Sequence, residues 1–169
     1  GGRFAYRFTV ERAGTFWYHP HFDTARQVDR GLYGLFVVEA PAPPAAGDAI
    51  ELVVDDPDEA GRSAGHGRAK LARGFTVNGA PAPARRALRG GEVVRVRVLN
   101  ASNTAYLWLE PSGLAARVIA GDQGFDGCPR PGPRALLAPG DRAELELRPG
   151  FEDGALVAHP YSLNGGPVP

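Results

Sequence analysis

Apolar and polar residues alternate with a period of two over short stretches of this chain, and turn residues punctuate the stretches. Phe4, Tyr6, Phe8 and Val10 alternate with Arg3, Ala5, Arg7 and Thr9, which predicts a half-buried strand with one aromatic face. Gly14 breaks this run, Thr15 to His19 is β-prone again, and Leu32 to Glu39 predicts a third strand with apolar residues on both faces. The proline-rich run Ala40 to Gly47 predicts an extended linker, because each proline fixes its own φ and biases its predecessor away from helix. Beyond it, Ile50 to Val54 opens a new series, which Asp55-Asp56-Pro57-Asp58-Glu59 ends, and Ala60 to Arg73 reads as a polar loop.

Phe75 to Gly79 predicts a short strand entering an Asn-Gly turn, and Val94, Val96 and Val98 alternate with Arg95, Arg97 and Leu99 in a half-buried strand. Tyr106 to Glu110, Ala115 to Ala120, Arg134 to Leu137 and Ala143 to Leu147 continue the pattern, with turns at Pro111-Ser112-Gly113, Gly121-Asp122 and Pro139-Gly140-Asp141. No helix-period segment of useful length competes. Regular short strands with such punctuation predict an all-β sandwich or Greek-key barrel.

Composition narrows the functional classes. The 169 residues are 43% apolar, enough for a core, and 23 glycines and 16 prolines lie between apolar runs, as closely spaced strands and turns require. Lys plus Arg and Asp plus Glu balance at 19 each, so no net field attracts nucleic acid or an anionic membrane. No apolar run is long enough to span a bilayer, and Gly1-Gly2-Arg3-Phe4 has neither an initiator Met nor a signal layout, so the chain is expected to begin inside a longer polypeptide. Cys128 is the only cysteine and excludes an intramolecular disulfide; with no histidine near it, it reads as an inert thiol.

Candidate chemistry concentrates at His19-Pro20-His21, which holds half of the four histidines. In a strand, residues i and i+2 point to one face with Cβ atoms roughly 6.6 Å apart, so the two imidazoles are expected side by side. Imidazole suits copper, zinc, iron and nickel. The spacing leaves three readings open: convergence on one ion, one ion for each ring, or an exposed strand end with two ordinary histidines. Pro20 lacks an N–H, which places the pair at a sheet edge or where the strand leaves the sheet. Asp23 and Asp29 read as solvated loop carboxylates, although a metal-centred reaction that consumes protons needs an acid nearby. His66 and His159 read as surface residues, Trp17, Tyr18 and Tyr33 as packing that holds the histidine strand, and Arg85, Arg86, Arg95 and Arg97 as solvated positions.

Gly14-Thr15-Phe16-Trp17-Tyr18-His19-Pro20-His21, then Gln27, then Gly31-Leu32-Tyr33-Gly34-Leu35-Phe36-Val37-Val38-Glu39, resembles the end of the first cupredoxin domain of three-domain, laccase-like multicopper oxidases. Phe75 to Pro81, Val94 to Asn103 and Leu137 to Glu144 resemble the middle domain. The resemblance implies a cupredoxin-like Greek-key β-sandwich at 49–169, preceded by a linker at 42–48 and by the C-terminal part of a first cupredoxin-like domain at 1–41. It implies that His19 and His21 are copper ligands, one to each ion of the type 3 pair in a trinuclear cluster that reduces dioxygen to water at the expense of a small reducing substrate. It also implies a periplasmic or secreted protein.

The family's earlier His-x-His-Gly motif and its His-Cys-His segment have no counterpart among these residues, and Cys128 is not the type 1 copper ligand. The resemblance therefore implies an internal fragment, inactive as an oxidase without the missing cupredoxin domains that complete the site. Two other readings stand beside it: a non-catalytic cupredoxin-like binding or structural protein that has lost copper, and a mononuclear copper or zinc binder using His19 and His21.

Overall fold

A computed structural model describes residues 2–40, 49–57, 74–81, 85–122, 124–130, 135–150, 152–162 and 166–167. Strand β1 (Gly14–Tyr18), helix α1 (Thr24–Val28) and strand β2 (Gly34–Val38) come first. Then follow β3 (Ile50–Asp55), β4 (Thr76–Val77), β5 (Ala80–Pro81), β6 (Val94–Asn100), β7 (Tyr106–Ser112) and β8 (Leu114–Gly121). The chain continues through β9 (Gly124–Arg130), β10 (Ala135–Leu137), β11 (Arg142–Pro149), β12 (Ala155–Ser162) and β13 (Gly166–Pro167). The expectation of an all-β architecture holds, with α1 as a short helix that the periodicity did not announce.

Two sheets form the sandwich. One runs in the order β5-β4-β3-β6-β11-β8-β9 and the other in the order β10-β7-β12-β13. β3 lies parallel to β6, and the remaining pairs are antiparallel. Val54, Val94, Val96, Val98, Ala143, Leu145 and Leu147 from the first sheet meet Leu107, Leu109 and Leu137 from the second. Fully burying one such valine or leucine contributes about 1.5–3 kcal/mol. The Asn78-Gly79 turn between β4 and β5 has φ of 53° and 76°, the pair of positive values that a two-residue type I′ hairpin requires.

β1 and β2 form a separate antiparallel ribbon, Gly14 opposite Val38 and Tyr18 opposite Gly34. The ribbon docks on β11: Thr15 Oγ1 donates to Glu144 Oε1 at 2.6 Å, and Arg142 Nε donates to the Thr15 carbonyl at 3.1 Å.

That docking corrects one expectation. Arg95 and Arg97 are buried, at 5% and 4% exposure, because their face of β6 is covered and because Glu144, itself 1% exposed, lies between them. Arg95 Nε and Nη2 donate to Glu144 Oε2 at 2.8 and 2.5 Å, and Arg97 Nη2 donates to Glu39 Oε1 at 2.5 Å. β6 is thus buried along its whole length, not on one face alone. Arg85 and Arg86 are exposed, as expected.

A second correction concerns the N-terminal alternation. Residues 3–10 adopt no strand, and Phe4, Tyr6 and Phe8 are 81%, 83% and 66% exposed. An alternating segment becomes a strand only when a neighbour pairs with its backbone, and no described strand does. The linker at 42–48, the loop at 60–73 with His66, and the side chain of Cys128 lie outside the described residues. No helix among the described residues is long and apolar enough to cross a membrane.

Candidate metal centre

β1 ends at Tyr18, so the histidines sit where the strand leaves the ribbon, the second of the two positions that Pro20 allows. His19 is half-buried and His21 exposed. Their rings lie side by side with centroids 4.9 Å apart and planes 22° from parallel. Trp17, two residues before His19, stacks on the His19 ring at 4.2 Å. Trp17 rests in turn on Gly140, where a Cβ would stand 3.2 Å from indole Cζ2.

The turn after the pair is built from its own backbone. The Pro20 carbonyl lies 3.1 Å from His19 Nδ1 and accepts from Thr24 Oγ1 at 2.9 Å. With the hydrogen on Nδ1, His19 donates to that carbonyl and keeps the lone pair of Nε2 for a metal, the arrangement a metal-binding imidazole uses. Asp23 takes the left-handed conformation at φ 46° and starts α1, and the Gln27 side-chain amide donates to the Phe22 carbonyl. Asn103, from the loop after β6, anchors the helix by donating to the Ala25 carbonyl and to Asp29 Oδ1, each at 2.8 Å.

The acids divide. Asp23 is exposed and pairs with Arg26 at 3.5 Å, as a loop carboxylate is expected to. Asp29 is buried, contrary to expectation, because α1 packs it against Asn103. Neither gathers with the histidines: among the described residues no group of three or more His, Cys, Asp or Glu side chains could hold a metal ion. His159 lies on β12, 3.9 Å from Glu110 and remote in sequence from the pair.

Of the three aromatic residues expected to pack behind the histidines, Trp17 does so against His19 and Gly140, and Tyr18 and Tyr33 differ. Tyr18 is 60% exposed. Tyr33 meets Trp17 edge-on at 6.4 Å and donates its hydroxyl to Asp55 Oδ2 at 2.6 Å. Burial, reinforced by the Asp55 hydrogen bond and charge, raises the Tyr33 phenol above its ordinary value, so it stays protonated. Burial also pushes Asp55 up to about 6, with Asp56 and Asp29 adding like charge while the bond from Tyr33 pulls the other way. Sequence reasoning missed this pair, since 22 positions and the linker separate its members and no local pattern joins them.

Comparison with known proteins places the histidine segment within one family's pattern. The multicopper oxidase family pattern matches residues 1–43, which contain the histidine pair and its ribbon. The fold of a multi-copper oxidase from Pseudomonas thermotolerans superposes with a TM-score of 0.76 at 35% identity, covering 88% of this chain and 39% of that one. The chain is multicopper oxidase-like. Its sandwich is accordingly a cupredoxin fold, the fold expected from the sequence.

Two curated relatives refine the placement. Multicopper oxidase MmcO of Mycobacterium tuberculosis is 45% identical over 56 residues, 33% of this chain and 11% of that protein. Cell division protein FtsP of Sodalis glossinidius is 39% identical over 150 residues, 80% of this chain and 31% of that protein. The chain thus spans about a third of the length of the FtsP proteins it matches. The multicopper oxidase pattern falls on the histidine ribbon, and the FtsP likeness extends far into the sandwich.

Proposed function

We propose that this chain is part of a copper-dependent oxidoreductase in which His19 and His21 each bind one ion of a type 3 copper pair. The carrying observation is the side-by-side, nearly parallel placement of the two imidazoles. A metal ion lies near the plane of the imidazole it binds, so two nearly parallel rings suit two neighbouring ions better than one shared ion. The donor type fits copper. Two donors do not fill the coordination of two ions, so further ligands belong to other parts of the protein, and the fragment by itself is expected to be inactive.

When bound, copper supplies one-electron redox chemistry for the reduction of dioxygen by a small reducing substrate. This chain's own residues orient the imidazoles: Trp17 fixes the plane of His19, the Pro20 carbonyl selects its tautomer, and the docking of β1 on β11 sets the depth of both rings. In this reading residues 1–41 end a first cupredoxin domain, 42–48 link and 49–169 form a second. The whole protein works in the periplasm or outside the cell.

The FtsP likeness, over 80% of the chain, favours a second reading, in which the cupredoxin scaffold serves cell division as a non-catalytic binding or structural part. Cupric titration by calorimetry, comparing the chain with a His19→Ala/His21→Ala variant, separates the two. Weak binding that the double substitution abolishes supports the copper reading. Equal binding by both proteins overturns it and leaves the structural one.

A further inference from the structure

Behind the histidine pair, four rings and a carboxylate stand in file. His21 lies 4.9 Å from His19, His19 4.2 Å from Trp17, Trp17 6.4 Å from Tyr33 by ring centroids, and the Tyr33 hydroxyl 2.6 Å from Asp55 Oδ2. The file starts at an exposed imidazole and ends at a buried carboxylate. We propose that Tyr33 and Asp55 form a proton-coupled redox site, connected to the histidine pair by Trp17.

Indole and phenol are side chains that readily lose one electron, and here they are consecutive. A phenol that loses an electron becomes a strong acid, so its oxidation is accessible only when a base takes the proton in the same event. Asp55 lies within the distance that direct proton transfer needs. It faces Tyr33, Asp56 and Asp29, and burial raises it to about 6, which makes it a better base than an exposed aspartate while leaving it ionised at neutral pH.

In the step, Trp17 gives one electron to a strong one-electron metal-centred oxidant that the histidine pair would hold, and Trp17 recovers that electron from Tyr33. The Tyr33 O–H bond breaks and its proton forms an O–H bond on Asp55 Oδ2. The products are a neutral phenoxyl radical, a protonated Asp55 and the reduced oxidant. One electron from the small reducing substrate and the proton held on Asp55 restore the site. Its use is protective: an oxidising equivalent that would attack the imidazoles is held on a half-buried phenol instead.

This proposal goes beyond the copper reading and is tested without copper. A ruthenium polypyridyl complex is attached to His21 of the full chain, in a His66→Gln/His159→Gln background, with its position mapped by mass spectrometry. Flash-quench generates ruthenium(III), and transient absorption and electron paramagnetic resonance follow the radicals. The expected result is a phenoxyl signal that Tyr33→Phe removes and that both Trp17→Phe and Asp55→Asn slow by roughly tenfold or more. The wild-type rate falls as pH drops below about 6, and Asp55→Asn loses that dependence. Circular dichroism establishes that each variant is folded; if Trp17→Phe is not, the Tyr33 and Asp55 variants decide. An undiminished phenoxyl signal in Tyr33→Phe, or an unchanged rate and pH profile in Asp55→Asn, overturns the proposal.

Discussion

Replacing Glu144 by Gln tests whether the buried charge network holds the histidine ribbon to the sandwich. The carboxylate accepts from Thr15 Oγ1 at 2.6 Å and from Arg95 Nε and Nη2 at 2.8 and 2.5 Å, and its Oε1 lies 3.8 Å from Arg97 Nε. Glutamine keeps the shape: its carbonyl can accept from Arg95 while its amide donates to the Thr15 hydroxyl. What disappears is the charge, which leaves two buried guanidinium groups facing Glu39, 54% exposed, and Glu51, half exposed and 3.8 Å from Arg97. Removing one member of a buried ion network costs about 3–5 kcal/mol. At about 2–4 °C per kcal/mol for a chain of this size, the melting temperature falls by about 6–20 °C.

Two controls give the effect its meaning. Thr15→Val, which removes one hydrogen bond to a charged acceptor, is expected to cost about 1.5–3 kcal/mol. Glu39→Gln, which alters a largely solvated partner, should cost no more than about 1 kcal/mol. Urea unfolding followed by tryptophan fluorescence measures all three, and a double-mutant cycle of Thr15→Val with Glu144→Gln isolates their coupling. A Glu144→Gln loss below about 1 kcal/mol, or one smaller than that of Glu39→Gln, would refute the reasoning, since the network would then not depend on its buried member.

Asp55 makes stability depend on pH in a defined direction. Its folded value of about 6 lies above the ordinary 3.8, so its contribution is fully present below pH 4 and is lost as pH rises through 6. The loss amounts to about 3 kcal/mol, and the difference between wild-type and Asp55→Asn stability curves should show it; parallel curves would refute it. Gly140→Ala forces a side chain into φ +85° and against Trp17, so a loss of about 1–2 kcal/mol and a shifted tryptophan emission are expected. Gly34→Ala brings a Cβ onto the Tyr18 ring, but that ring is exposed and free to swing away, so thermal melts should change by less than about 1 kcal/mol.

Much of the fold is legible in the chain. The alternation of Val94, Val96 and Val98 identifies β6, the Asn78-Gly79 dipeptide identifies its hairpin, and Pro20 marks the exit of β1 beside the histidines. These are local properties, set by the pleat and by backbone dihedrals, and the chain carries them wherever it goes. The expected placement of His19 and His21 as neighbours follows from the same local geometry.

The tertiary structure decided what covers each face. Alternation assigns Arg95 and Arg97 to the side of β6 away from the valines; it does not say that Glu144, Glu39 and the ribbon close over that side and leave the arginines dry. The aromatic segment at residues 3–10 shows the converse, a strand-like pattern that stays exposed because no described strand pairs with it. Tyr33 and Asp55, and Trp17 against Gly140, meet across long stretches of chain through packing alone. The sequence by itself determined most strands of the sandwich and the neighbouring imidazoles at a strand exit, because both follow from local geometry. The ring file behind those imidazoles, and the buried charges beneath their strand, depended on contacts between distant segments, which no local pattern encodes.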